Sequence, residues 1–268
     1  MKLKQLKSTS QNLKDLFDQN ITVKYIAEHF KSFDYFADAP EVMGFMEKSD
    51  YDIVGIRKNG SIIGYVKRSD LQDGFCETYI LQFDPSEQIP DTTPLIEVLK
   101  MLRNRPSLYI VYLNEIVGIV TKGDLQKLPA RMWIFSLISL LEMQLLRLIR
   151  SFCLNDSWQE HLKQCRLNAA QKVLDDRKNR NENLDLADCL QFCDKRDIIL
   201  NSSAILKSIE VEKTATKKLL TKAEKIRNKL AHAQDIITGS WPEIAEIVEN
   251  IETLLNQCEQ AKISDSHE

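Results

Sequence analysis

Apolar and polar residues alternate in two registers along this chain. Up to about residue 125, short apolar runs of strand length recur, with turn residues between them; "DIVGIRKNGSIIGYVKRSDL" (Asp52–Leu71) and "SLYIVYLNEIVGIVTKGDL" (Ser107–Leu125) are the clearest. Asn59-Gly60 breaks the first run where positive φ costs little, as a hairpin turn requires. Each pair of strands follows a segment with helical spacing that starts at a proline, Glu41–Lys48 after Pro40 and Leu95–Arg103 after Pro94. Beyond "LPAR" no strand pattern returns. Trp133, Leu137, Leu140, Leu141, Leu145, Leu148, Ile149 and Phe152 repeat at three and four residues, which predicts a long buried helix. Further helices are expected at 157–178, 184–192, 195–206 and 211–237, with the polar stretch 177–183 as a loop. Ser240 and Glu243 form a capping box that opens a last helix reaching about Cys258.

The two strand-rich runs are copies of one another. At an offset of 54 residues "SIIGYVKRSDL" lies on "EIVGIVTKGDL" without a gap, placing Gly64 on Gly118, Asp70 on Asp124 and Pro40 on Pro94. The expected organisation is α+β with two domains. An extension of residues 1–20 forms a lysine-bearing helix, an α/β repeat pair covers 21–128, and an all-α bundle of about five helices covers 129–268.

Composition narrows the function. The chain has 268 residues, 43% hydrophobic and 28% charged, with a net charge of −3. It is globular by composition, and nucleic acid could be held only by a local patch. Six cysteines without Cys-x-x-Cys spacing, and no legible leader, point to reduced thiols in a cytoplasmic protein. His161 with Cys165, and Cys189 with Cys193, supply two ligands each where a structural metal wants four, so no metal is expected. The uncharged run 132–141 is about half of the roughly 20 residues a membrane span needs, so no membrane is expected.

The local patch lies at 207–229, with eight basic and three acidic residues. On a helical wheel Leu219, Ala223, Ile226, Leu230, Ala233 and Ile237 share the core side. Lys218, Lys222, Lys225 and Lys229 form a basic stripe that ends at His232, and Arg227 lies off it.

Two resemblances add to this reading. Each strand–"G-h-h-T-x-x-D-L" unit resembles a CBS motif, and the pair resembles a CBS tandem. That family binds adenine nucleotides (AMP, ADP or ATP) in clefts between its repeats, the Asp on the ribose hydroxyls and the Thr on the phosphate. The resemblance carries these roles to Thr121 and Asp124. The first repeat keeps Asp70 but has Lys67 in place of the Thr; Lys67 is either a phosphate partner or a surface lysine. "KIRNKLAH" resembles the signature of HEPN domains, which implies a bundle of that type and a metal-independent endoribonuclease of single-stranded RNA. Such enzymes act as homodimers whose motifs face across a symmetric interface.

The implied site comprises Arg227, Asn228 and His232. An imidazole titrates near neutrality and suits proton transfer to and from the 2′-OH and 5′-oxygen. A guanidinium stays charged and offers a fork to the phosphorane. Asn228 would orient the imidazole or the phosphate, and Lys218, Lys222, Lys225 and Lys229 would hold the RNA. No catalytic cofactor is implied, the nucleotide being regulatory. Gln234 stands where toxin-like members carry a modifiable Tyr. Two alternatives stay open: a non-catalytic adenine-nucleotide sensor whose helical part dimerises or docks a partner, and an RNA binder without cleavage.

Overall fold

The computed structural model describes residues 20–232 and 241–261. Two compact units divide at Ala130/Arg131.

The first unit contains β1 (Glu28–His29), β2 (Ser32–Asp34), α1 (Ala39–Ser49), β3 (Ile53–Lys58), β4 (Ser61–Lys67), β5 (Gln88–Pro90), α2 (Leu95–Leu102), β6 (Ser107–Tyr112) and β7 (Glu115–Thr121). The proline-started helices and the hairpins fall where the hydrophobic pattern puts them. Asp38 caps α1 by accepting from Glu41 N, with Pro40 in the first turn. Asn59 and Gly60 take positive φ at the β3–β4 turn, and Leu113 and Asn114 do so at β6–β7.

Two sheets form, ordered β2-β3-β4 and β1-β7-β6-β5. Their relation explains the repeated glycine. β1 runs antiparallel to β7, with His29 opposite Gly118. In the first repeat Tyr65 and Leu81 exchange both backbone hydrogen bonds, at 3.0 and 2.8 Å. Each repeat therefore sends the segment before its first helix onto the last strand of the other. The incoming backbone passes directly over the glycine. A Cβ on Gly64 would lie 2.6 Å from the Leu81 carbonyl oxygen and 2.4 Å from Ile80 Cγ2, and one on Gly118 would lie 3.0 Å from the Glu28 carbonyl oxygen. Between the sheets Phe30, Tyr65, Phe83 and Tyr109 pack edge-on or tilted, with centroids 4.5–6.2 Å apart. Ser61 Oγ donates to Glu115 Oε1 at 3.0 Å, a contact between equivalent positions 54 residues apart.

The second unit is helical: α3 (Leu128–Phe152), α4 (Gln164–Lys178), α5 (Phe192–Asn201), α6 (Ser203–Ser208), α7 (Lys213–Ala231) and α8 (Trp241–Gln260). α3 buries the apolar residues its spacing assigned inward, Phe152 being half-buried. It is long and apolar enough by length and composition to cross a membrane, yet 56% of that stretch is buried. Its charges are answered by protein: Glu142 by Lys195 at 2.8 Å, and Arg150 by Asp185 and Asp188 at 2.8 and 2.7 Å.

Four expectations are corrected. The helix expected at 157–178 is a 3-10 segment, Leu154–His161, followed by α4; Asn155 and Asp156 take left-handed backbone, which only short polar side chains adopt readily. The helix expected at 184–192 is one 3-10 turn, Ala187–Cys189. There Asp185 and Asp188 each accept the other's backbone N–H and both hold Arg150, so side chains take the bonds a helix would use. The helix expected at 195–206 breaks at Ser202, whose extended backbone and hydroxyl cap α6. On α7 the core residue is Leu220, fully buried, while Leu219 is half-buried. The expected continuation of α7 to Ile237, the Ser240 cap and the helix of residues 1–20 lie outside the described residues, Asn20 apart.

Among the described residues no three His, Cys, Asp or Glu side chains are grouped to hold a metal. The cysteines are all free, Cys165 exposed and Cys258 fully buried. Burial pushes the Cys258 thiol up to about 12. Native alkylation followed by peptide mass mapping should therefore label Cys165 first and Cys258 last, because the thiolate is the reacting form.

Candidate functional site

In the first unit a cavity of about 530 Å³, of a size that suits a small ligand, lies beside the second repeat. Its wall includes Glu28, Lys31, Asp50, Tyr51, Asp52, Ser107, Thr121 and Lys122. Tyr51 is 38% exposed there. β7 ends at Thr121, and the 3-10 turn Gly123–Gln126 brings Asp124 back under it.

Thr121 and Asp124 are brought together as the motif spacing requires. Asp124 is 7% exposed and does not line the cleft. Its Oδ2 accepts from Thr121 N at 2.7 Å and from Thr121 Oγ1 at 3.0 Å. Its Oδ1 meets Lys127 Nζ at 2.7 Å, and the same ammonium donates to the Ile26 carbonyl at 2.7 Å and to Glu28 at 2.9 Å. An ionised carboxylate only accepts, so the Thr121 hydroxyl spends its hydrogen on Asp124 and keeps its lone pairs. Thr121 is thereby an acceptor at the cleft wall, and Asp124 the group that fixes it there.

The first repeat differs. Lys67 and Asp70 are exposed, Asp70 accepts from Ser69 Oγ at 2.7 Å, and neither residue lines the cleft. Without a threonine at position 67, nothing there repeats the buried Thr–Asp pairing. Arg68 instead pairs with Asp52 at 2.7 Å, on the wall of the same cleft.

In the helical unit α7 begins with Glu212 capping Thr214 N and Ala215 N and ends at Ala231, with His232 as C-cap. His232 is exposed, and its N–H donates to the Asn228 carbonyl at 3.1 Å. Arg227 is half-buried. Its Nε lies 3.4 Å from Glu142 Oε2 but makes no hydrogen bond. Arg227 and Asn228 border a cavity of about 490 Å³ whose walls also include α4, α5 and Glu142 of α3. The basic stripe is partly spent: Lys222 pairs with Glu243 of α8 at 2.6 Å, and Lys229 is half-buried, whereas Lys218 and Lys225 are exposed.

Sequence reasoning missed Tyr51, Asp52 and Ser107 at the cleft beside Thr121 and Glu142 beside Arg227. The pattern offered one usable signal, a lone glutamate breaking the apolar face of α3.

Residues 84–131 match the CBS-domain family. No curated protein matches the sequence. Among solved structures, an uncharacterized conserved protein from Pyrococcus horikoshii is 21% identical, with 40% of this chain and 91% of that one covered and a TM-score of 0.36. CBSX2 in complex with AMP is 12% identical, covering 38% and 91%, with a TM-score of 0.34. The CBS domain of a bacterial CNNM/CorC family Mg2+ transporter in complex with ATP is 15% identical, covering 43% and 90%, with a TM-score of 0.35.

Proposed function

We propose that this chain responds to an adenine nucleotide bound in the cleft beside Thr121, through a CBS pair of residues 21–128. The observation that carries the reading is the buried Asp124–Thr121 pairing at the edge of a cleft of about 530 Å³. The chemistry differs from the family's division of labour. Thr121 Oγ1 has lone pairs to offer and no hydrogen, so it accepts from a ribose hydroxyl and not from a phosphate oxygen. Lys122 and Lys31 are the cations left for the phosphate, and Tyr51 can stack on the base. AMP, ADP and ATP each bring these groups. In a thermal-melt series one of them should raise the midpoint of the wild-type protein, since binding only the folded state adds stability by mass action. The shift should shrink in Thr121→Val and persist in Lys67→Ala. An equal shift in all three proteins would remove the cleft assignment.

A second reading is favoured by a separate observation. Arg227 is held only by a 3.4 Å ion pair to Glu142, its Nε making no hydrogen bond, and His232 stands exposed one helical turn beyond Asn228. A guanidinium and an accessible imidazole are what metal-independent RNA cleavage by 2′-OH attack needs. On this reading residues 129–268 are a HEPN-type ribonuclease. Arg227 stabilises the phosphorane, His232 moves protons, Asn228 orients them, and Lys218 and Lys225 steer the backbone. Two chains complete each site as a homodimer, and the nucleotide regulates cutting.

A further inference from the structure

The outer face of α3 keeps large apolar side chains in water. Met132 and Met143 are 52 and 53% exposed, and Leu128 and Phe135 are exposed beside them. Ser136, Ser139 and Leu146, half-buried, complete the stripe. At about 100° per residue these positions fall within one arc of roughly 100°. None of them is charged, although 28% of the chain is. A contiguous apolar stripe on the water side of a helix marks a contact surface.

The order of residues along the stripe identifies what it fits. Met132, Ser136, Ser139 and Met143 are spaced by four, three and four, so the pattern reads the same from either end. Two copies of α3 laid antiparallel, with a two-fold axis between Ser136 and Ser139, set each Met132 opposite the partner's Met143. The same axis sets each Ser136 opposite the partner's Ser139 and each Leu128 beside the partner's Leu146. Steps of three and four keep these positions on one helix–helix seam. The serines at its middle allow close approach and ask nothing of the partner: Ser136 Oγ donates to the Met132 carbonyl at 2.8 Å, and Ser139 Oγ to the Phe135 carbonyl at 2.9 Å. Charge agrees with this register. Arg131 and Glu142 lie on the Phe135 flank, and the two-fold brings each Arg131 within about 3 Å, along the helix axis, of the partner's Glu142. Glu142 also holds Arg227 at 3.4 Å, so both copies of Arg227 come to the same flank.

We propose that this stripe is the surface on which a second copy of the chain docks, α3 against α3 and antiparallel. The proposal goes beyond the ribonuclease reading, which calls for a second chain but names no surface, and it stands on α3 whether or not RNA is cut.

Sedimentation equilibrium of the full-length protein should show a dimer at micromolar concentration. Met143→Glu buries a carboxylate at both symmetric Met–Met contacts and should weaken the dimer about a hundredfold, or about tenfold for each. Met143→Leu should leave it intact. Position 143 is exposed, so the chain should still fold, which an unaltered far-ultraviolet dichroism spectrum verifies. The register has its own test on a Cys165→Ser background. Mixed Met132→Cys and Met143→Cys chains should form an interchain disulfide under mild oxidation. Neither variant should do so alone, because like positions stand about 17 Å apart along the axis. A monomer overturns the surface, whichever segment of the chain then covers the stripe. A dimer that survives Met143→Glu and forms no mixed disulfide also overturns it. So does a monomer that binds phosphatidylglycerol vesicles through Met143, which assigns the stripe to a membrane. RNA cleavage measured alongside separates the two ideas: a dimer of this register without cleavage removes only the nuclease, and cleavage by a monomer removes only this surface.

Discussion

Gly64→Ala should destabilise the first unit by about 3 kcal/mol, at the upper end of overpacking penalties, because the added methyl has nowhere to go. The atom it would meet at 2.6 Å is the Leu81 backbone carbonyl oxygen, which is held by the Tyr65 N–H at 3.0 Å and cannot rotate aside. Accommodation requires breaking that pairing, and with it the crossover by which the first repeat receives the second. Gly118→Ala should cost less, about 1–2 kcal/mol, since its nearest obstacle lies at 3.0 Å. Hydrogen exchange followed by peptide mass spectrometry reads the effect directly: peptides covering Tyr65 and Leu81 should lose protection in Gly64→Ala. All three tryptophans, at 133, 158 and 241, belong to the second unit, so their fluorescence transition reports the helical bundle separately. Unchanged protection at Tyr65 would show that the crossed strands do not carry the unit's stability.

On the proposed ribonuclease reading, His232→Ala should reduce RNA cleavage in a metal-free buffer by about 10²–10⁴-fold, the range attributed to a positioned acid–base group. Arg227→Lys should also lose most activity, because an ammonium is a point charge and cannot replace the fork. The proposed sharing of each site between two chains gives a sharper test. Mixing His232→Ala with Arg227→Ala chains allows heterodimers in which one site takes its imidazole from one protomer and its guanidinium from the other. Activity should then return to a fraction of wild type. No recovery on mixing would mean that each protomer supplies its own pair, and equal low cleavage by wild type and His232→Ala would remove the nuclease reading.

Much of the first unit was legible because its pattern is doubly constrained. Strand alternation marked the hairpins, and the repeat at 54 residues marked which glycines mattered, although only the structure shows that Gly64 and Gly118 yield to an incoming backbone. The helical unit was legible where an apolar stripe is long, as on α3. It was not legible where side chains compete with the helix for backbone hydrogen bonds, as at Asp185, Asp188 and Ser202. Wheel geometry alone placed Leu219 inward, one position from the buried Leu220, because the stripe was anchored on a helix assumed to run to Ile237. Site residues followed the same division. Thr121 and Asp124 were found by spacing, yet their division of labour depended on where the Asp124 lone pairs go, which spacing does not encode. Glu142 and Tyr51 come from distant segments and share a cavity wall with Arg227 or Thr121 only through tertiary packing.

Of all these tests, calorimetric titration of AMP, ADP and ATP into the intact protein bears most directly on the claim that the second repeat alone holds a built nucleotide site. The account predicts one nucleotide per chain for at least one of the three, weakened about tenfold by Thr121→Val through loss of a hydrogen-bond acceptor. Two equivalent sites per chain, or an affinity indifferent to position 121, would contradict it.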